Sequence, residues 1–235
     1  MKTQKVLAVL LVIIGLYGCK SNSTSPSSGG QPLVAANPGS VFHLQVTTTD
    51  TNGMAMGSTI HQTDSIVAKG ITFMGKSNVV KIWSYDDQGN SGYGYYSLLD
   101  NGDLDFYLGD LRPGMVAQWM EWPFGTGSPL TTTIEDTSIM GIEHVSESAT
   151  YSRGGTSTMT VQGNSLTLNE VVGIYTVTQS ISIQGVSQSN SSTLPPFHYY
   201  WSPTIGFLAK SQVATTDMFG QPMIETQILT SYTLQ

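Results

Sequence analysis

The sequence predicts an all-β protein, an antiparallel meander rolled into a strongly curved sheet or a partly closed barrel, with at most one short helix. Three observations carry this. Apolar residues alternate with polar ones over short stretches, which is the period of a half-buried strand. Gly, Asn and Asp cluster between those stretches, where tight turns need them. Only 11% of the 235 residues are charged. Ser and Thr together make up roughly a quarter, well above ordinary usage, and β-branched hydroxyl residues suit exposed sheet faces.

Taken in order, Phe42, Leu44 and Val46 alternate with His43 and Gln45 and predict a first strand over 41–47. Asp50-Thr51-Asn52-Gly53 supplies a turn, after which Met54, Met56 and Ile60 resume the apolar positions of a hairpin. Strands over 66–73 and 78–85 follow, separated at Gly75-Lys76-Ser77. Asp86-Asp87-Gln88-Gly89-Asn90 turns the chain into an aromatic strand over 93–99. Asp100-Asn101-Gly102-Asp103 turns it again into Leu104, Phe106 and Leu108. Over 109–130, Pro113, Gly114, Pro123, Gly125, Gly127 and Pro129 break any period. That stretch is expected to be a long connection across one end of the sheet, and although no segment shows a helical period, 108–120 is where a short helix would have room. Strands resume over 131–134, 142–151, 156–161, 165–168 and 173–183, with turns at Arg153-Gly154-Gly155 and Gln162-Gly163-Asn164. Residues 185–196 are expected to be a polar loop, and strands over 198–201, 207–213 and 224–234 end the domain. So many strands must curl, sandwich or close to protect their edges.

The first residues read differently. Lys2 and Lys5 precede an apolar run from Val6 to Gly18, thirteen residues long, whereas a membrane-spanning helix needs roughly 20. This is the layout of a cleaved export signal, residues 1–18. Leu16-Tyr17-Gly18-Cys19 resembles the bacterial lipobox, in which the cysteine is acylated and becomes the first residue. An ordinary secretory signal with an incidental cysteine is the alternative. Cys19 is the only cysteine, so no disulfide can form within the chain, and lipid attachment gives it a purpose. Two or more acyl chains give stable anchoring where one does not. Residues 19–40, rich in Ser, Gly, Pro and Asn, form a flexible tether to a single β-rich domain over 41–235. Lys20 is not the aspartate that retains lipoproteins at the inner membrane of enteric bacteria, and by that resemblance the outer membrane is favoured.

Without residues 1–18 the chain keeps seven basic side chains against sixteen acidic ones, a formal charge of −9. Nucleic acid is thereby excluded as a partner, because a phosphate backbone needs a basic face.

Tyr200-Trp201-Ser202-Pro203-Thr204-Ile205-Gly206-Phe207-Leu208-Ala209-Lys210-Ser211, with Gly220 and Leu229-Thr230-Ser231-Tyr232, resembles the closing motif of the TapB-like family of bacterial lipoproteins. Tyr85-Asp86-Asp87-Gln88-Gly89, Leu98-Leu99-Asp100-Asn101-Gly102 and Glu121-Trp122-Pro123 fit the same layout. The resemblance implies a β-rich exported lipoprotein and brings no established activity.

The residues themselves announce no catalytic chemistry. His43, His61, His144 and His198 are scattered, and Glu143-His144 on a strand would point to opposite faces, so no metal site and no cofactor is expected. Asp100, Asp103 and Asp105 lack the remaining ligands of a calcium loop and read as a turn. There is no nucleophile elbow and no phosphate-binding glycine loop, so no catalytic residue is assigned and no enzyme is expected. The aromatic surplus points instead to binding. Trp119, Trp122, Tyr200 and Trp201 are the candidate ligand-binding residues, within a wider set that includes Tyr93, Tyr95, Tyr96, Phe106 and Tyr199. They would accept an apolar ligand or a glycan in a concave sheet, although aromatic residues also fill β cores. The function expected is that of a noncatalytic ligand- or partner-binding envelope lipoprotein. A structural or assembly role with an envelope protein is the alternative, and a hydrolase the third.

Overall fold

The computed structural model describes residues 36–108, 118–125, 128–139, 143–183, 186–216 and 221–235. The export signal, Cys19 and most of the tether lie outside the described residues, as do residues 109–117 of the expected connection.

Thirteen strands and no helix run through the described residues. The N-terminal half holds β1 (Val41–Asp50), β2 (Ile60–Phe73), β3 (Lys76–Asp86), β4 (Ser91–Leu98), β5 (Leu104–Leu108) and β6 (Gln118–Trp122). The second half holds β7 (Leu130–Ile139), β8 (Glu143–Val161), β9 (Asn164–Ile183), β10 (Val186–Thr193), β11 (Phe197–Ser202), β12 (Phe207–Thr216) and β13 (Pro222–Thr233). Twelve of them form one antiparallel path, β6-β5-β4-β3-β2-β1-β13-β12-β11-β9-β8-β7, and β10 pairs with β9 alone. Two meanders are thus joined where β1 pairs with β13, from Val41 opposite Thr233 to Asp50 opposite Met223. The path nearly closes into a barrel with one seam, between β6 and β7, which follow one another in the chain but do not pair. The expected curved meander is what forms.

Local chemistry explains the joints. Met74 (φ 45°) and Gly75 (φ 78°) link β2 to β3, and Gln162 (φ 51°) and Gly163 (φ 80°) link β8 to β9. Two successive positive φ angles make the hairpin turn whose twist matches its strands. The register of β2 on β3 shifts three times between Ile66 and Phe73, and such bulges bend a strand and raise its twist, which lets the sheet roll.

Three sequence expectations need correction. Gln118–Trp122 is a strand, pairing Leu104 with Trp122 and Phe106 with Met120; its short alternation was hidden among prolines and glycines. Residues 186–193 are also a strand, β10, whose both faces are polar, so no apolar period marks it. Its register is fixed by backbone pairing and by hydroxyl contacts such as Thr178 with Ser191 at 3.3 Å. Arg153-Gly154-Gly155 is a bulge within one long strand, not a turn, since the register shifts between Arg153 and Thr156 and pairing resumes at once. A Cβ at Gly154 would lie 2.4 Å from Glu170 Oε2, so a larger residue there would displace the carboxylate that accepts from the Gly155 amide at 3.1 Å.

Inside the barrel, Phe42, Leu44 and Val46 of β1, Asp64 and Ile66 of β2, Val80 and Ile82 of β3, and the odd-numbered residues of β11 and β12 point inward. At the tether side the interior is filled: Phe42 stacks on Phe207 at 3.9 Å, and Val80, Leu104, Phe124 and Ile205 are fully buried. The tip of the β8–β9 hairpin reaches that same end, where Gln162 accepts from the Tyr232 amide. The other half of the interior is not filled.

Candidate ligand cavity

A cavity of about 550 Å³ occupies the half of the barrel toward the β3–β4 turn. That volume lies within the range of small-molecule sites. β4 creates it. Its sequence, Ser-Gly-Tyr-Gly-Tyr-Tyr-Ser-Leu, alternates so that the rings of Tyr93 and Tyr95 pack on Trp83 and Phe73 on the outer face while Gly92, Gly94 and buried Tyr96 face inward, all five bordering the cavity. A Cβ added at Gly92 or Gly94 would meet nothing within 4 Å. The two glycines therefore leave room that ordinary core residues would take. Exposure falls inward along this face, from exposed Gly92 through half-buried Gly94 to buried Tyr96, which marks the mouth at the turn and the floor at Tyr96.

The floor is aromatic. Tyr96 meets Trp201 edge-on at 5.4 Å, and its hydroxyl donates to the Gly206 carbonyl at 3.0 Å, which ties β4 to the β11–β12 turn across the interior. Trp122 packs against Phe106 at 4.2 Å and Tyr199 at 4.3 Å. The Trp122 Nε1 and Tyr199 hydroxyl are buried without a hydrogen-bond partner, and both side chains line the cavity. An unmet buried donor costs about 1–3 kcal/mol, so an acceptor held in the cavity would be stabilised there.

Toward the mouth the walls become polar through Gln62, Asp64, Ser84, Asp86, Asn90 and Gln227. Asp64 accepts from Gln62 Nε2 at 2.8 Å, and Asp86 accepts from the Gln88 and Asn90 amides at 3.0 and 2.8 Å. Among the described residues no Lys, Arg or His lines the cavity. Burial with no cation nearby pushes the Asp64 carboxyl up to about 6, and burial does the same to Glu225, up to about 7. The protonated forms therefore stabilise the fold. Their contribution is complete below the ordinary carboxyl range and is lost as pH rises through 6 to 7, by roughly 3 kcal/mol for Asp64. Unfolding midpoints measured from pH 4.5 to 8 are expected to fall across this window, and Asp64→Asn with Glu225→Gln to flatten the fall.

The four residues picked from the sequence divide into two pairs. Trp122 and Trp201 are buried and line the cavity. Trp119 lies on the outer face of β6, its indole donating to the Met74 carbonyl at 3.1 Å. Tyr200 lies on the outer face of β11 beneath Lys210, whose Nζ is 5.1 Å from the ring centre. Strand alternation separates residues that are neighbours in the chain. Asp64, Gln62, Gln227 and the two glycines were not picked from the sequence. The Gly-x-Gly spacing in a strand, which empties one face, is the signal that could have found them. Among the described residues no three His, Cys, Asp or Glu side chains converge as a metal site.

No protein-family model matches the chain and no curated protein does, so the resemblance to TapB-like lipoproteins stands on its sequence motifs alone. Two solved structures align with it loosely. One is a candidate lipoprotein from Parabacteroides distasonis, 13% identical, covering 86% of this chain and 100% of its own with a TM-score of 0.45. The other is a candidate exported protein with a YmcC-like fold from Bacteroides fragilis, 9% identical, covering 85% of this chain and 99% of its own with a TM-score of 0.39.

Proposed function

We propose that the chain is a noncatalytic envelope lipoprotein, held by acylated Cys19, whose barrel binds a small uncharged ligand with an apolar part. The carrying observation is the cavity itself, kept open by Gly92 and Gly94 above a floor of Tyr96, Trp122 and Trp201. Apolar surface of the ligand packs on those rings. An acceptor oxygen accepts a hydrogen bond from Trp122 Nε1 or the Tyr199 hydroxyl, and hydroxyl groups donate to Asp64 and to the Gln62 and Gln227 side-chain carbonyls. Anions are disfavoured, because Asp64 and Asp86 line the site and no basic side chain does so among the described residues. A glycan or an uncharged amphiphile meets these demands; a fatty acid or phospholipid head group does not. The export signal, the lipobox and the resemblance to TapB-like lipoproteins support the envelope, with Lys20 favouring the outer membrane.

The test is a native mass titration of the purified protein with n-octyl β-glucoside against octanoate, two probes with the same chain. The glucoside is expected to bind at least about tenfold more tightly, a difference of 1.4 kcal/mol. Equal or tighter binding of octanoate at neutral pH would contradict the reading.

A further inference from the structure

The barrel carries a second aromatic set on its outside. Phe73 stacks on Tyr95 at 3.8 Å with Tyr107 edge-on at 5.0 Å, Tyr107 meets Trp119 at 5.3 Å, and Trp83 packs on Tyr93 at 4.7 Å. These rings come from β2 to β6, five neighbouring strands, and form a stripe across them. Met74, 63% exposed, ends the stripe at the β2–β3 turn, and Tyr93 is 56% exposed. Lys76 lies 5.4 Å over the Trp119 ring and Lys81 3.6 Å over Tyr93. The core does not need these rings, because the interior has its own.

The tether reaches the barrel beside this stripe. Lys69, four residues before Phe73 on β2, donates to the Ala36 carbonyl at 3.2 Å and to Asn37 Oδ1 at 3.1 Å. Sixteen residues lie between Cys19 and Ala36, and a Ser/Gly/Pro-rich linker of that length spans about 22 Å root-mean-square. A bilayer that holds Cys19 therefore keeps the stripe at high effective concentration, and weak interfacial affinity suffices.

We infer that the outer face of β2 to β6 docks on the lipid surface to which the chain is anchored. This rests on the anchor reading of Cys19. Trp and Tyr with flanking Lys and an exposed Met form the mixed apolar and cationic surface that settles at a membrane interface. Among the described residues, three of the five Lys and Arg side chains, Lys69, Lys76 and Lys81, border the stripe, with Asp105 and Glu121 on the same face beside Lys76. Lys76 also contacts Asp105, so the rings carry the docking more than charge does.

The experiment reconstitutes the acylated protein in liposomes and measures tryptophan quenching by phosphatidylcholine brominated near the head group. The protein is expected to float with the liposomes and its emission to be quenched. Two outer tryptophans, Trp83 and Trp119, share the loss, so Trp119→Phe should reduce it by about half. Met74→Asp, at an exposed turn, should also reduce it with an unchanged circular dichroism spectrum. Flotation without quenching overturns the docking and leaves the anchor standing. Quenching that neither variant alters overturns the assigned face. Emission that depends on protein concentration and not on brominated lipid assigns the stripe to a second copy, which also overturns it. Failure to float overturns the anchor and the docking together.

Discussion

Replacing Gly94 with Phe is expected to abolish ligand binding while the barrel stays folded and its unfolding midpoint holds or rises. Gly94 sits on the inner face of β4 opposite Ile82, and a Cβ there meets no atom within 4 Å. The new ring would occupy cavity space above Tyr96, where the ligand's apolar part is proposed to lie. Occupation of the site by the protein's own side chain should weaken binding at least about 100-fold, or 2.7 kcal/mol. Stability should move the other way, because Gly within a strand has excess conformational freedom and packs nothing, a deficit of about 0.5–1 kcal/mol that an aromatic residue removes. Binding isotherms and thermal melts of the same preparation check both halves. A variant that binds normally would mean that the cavity is not the site.

Trp122→Ala is expected to destabilise the protein by about 3–5 kcal/mol, the usual range for loss of a buried Trp. At this chain length that lowers the midpoint by about 10 °C. Trp122 is 2% exposed and meets Phe106, Tyr199, Phe124 and Tyr151. Its place makes the loss severe. β6 ends one side of the seam, and no backbone ladder joins it to β7. Trp122 reaches across the interior to Tyr151 of β8, at 6.1 Å, and to Tyr199 of β11, at 4.3 Å, so side chains do there what hydrogen bonds do elsewhere in the sheet. Trp119→Ala, three residues earlier on the outer face of the same strand, should cost much less. Thermal melts of the two variants separate the seam account from a general need for tryptophan.

Strands with one buried face were legible in the sequence because burial imprints a period of two, as in Phe42, Leu44 and Val46. β10 was not, because its faces are both polar and its placement comes from pairing with β9. β6 was not, because five residues between breakers are too few to show a period. The Gly154–Gly155 pair looks like a turn in the sequence and is a bulge, with β8 pairing β9 on both sides of it and the Gly155 amide donating to Glu170. The site shows the same division. Aromatic abundance was visible, but which rings face inward depends on register, and so Trp122 and Trp201 line the cavity while Trp119 and Tyr200 do not. The cavity's openness comes from two missing side chains, Gly92 and Gly94, and its polar wall from Asp64 and Gln227, brought together from β2 and β13, strands far apart in the chain.

The central claim is that the barrel interior holds a ligand. Its most direct test is the native mass of the protein released gently from its own membrane, compared with that of Gly94→Phe prepared in parallel. The account predicts an added noncovalent mass on the wild-type protein, lost from the variant and from the wild type once its ligand is stripped. Bare protein mass in both, under conditions that preserve noncovalent complexes, would contradict it and turn attention to the open edges of β6 and β7 as surfaces for assembly.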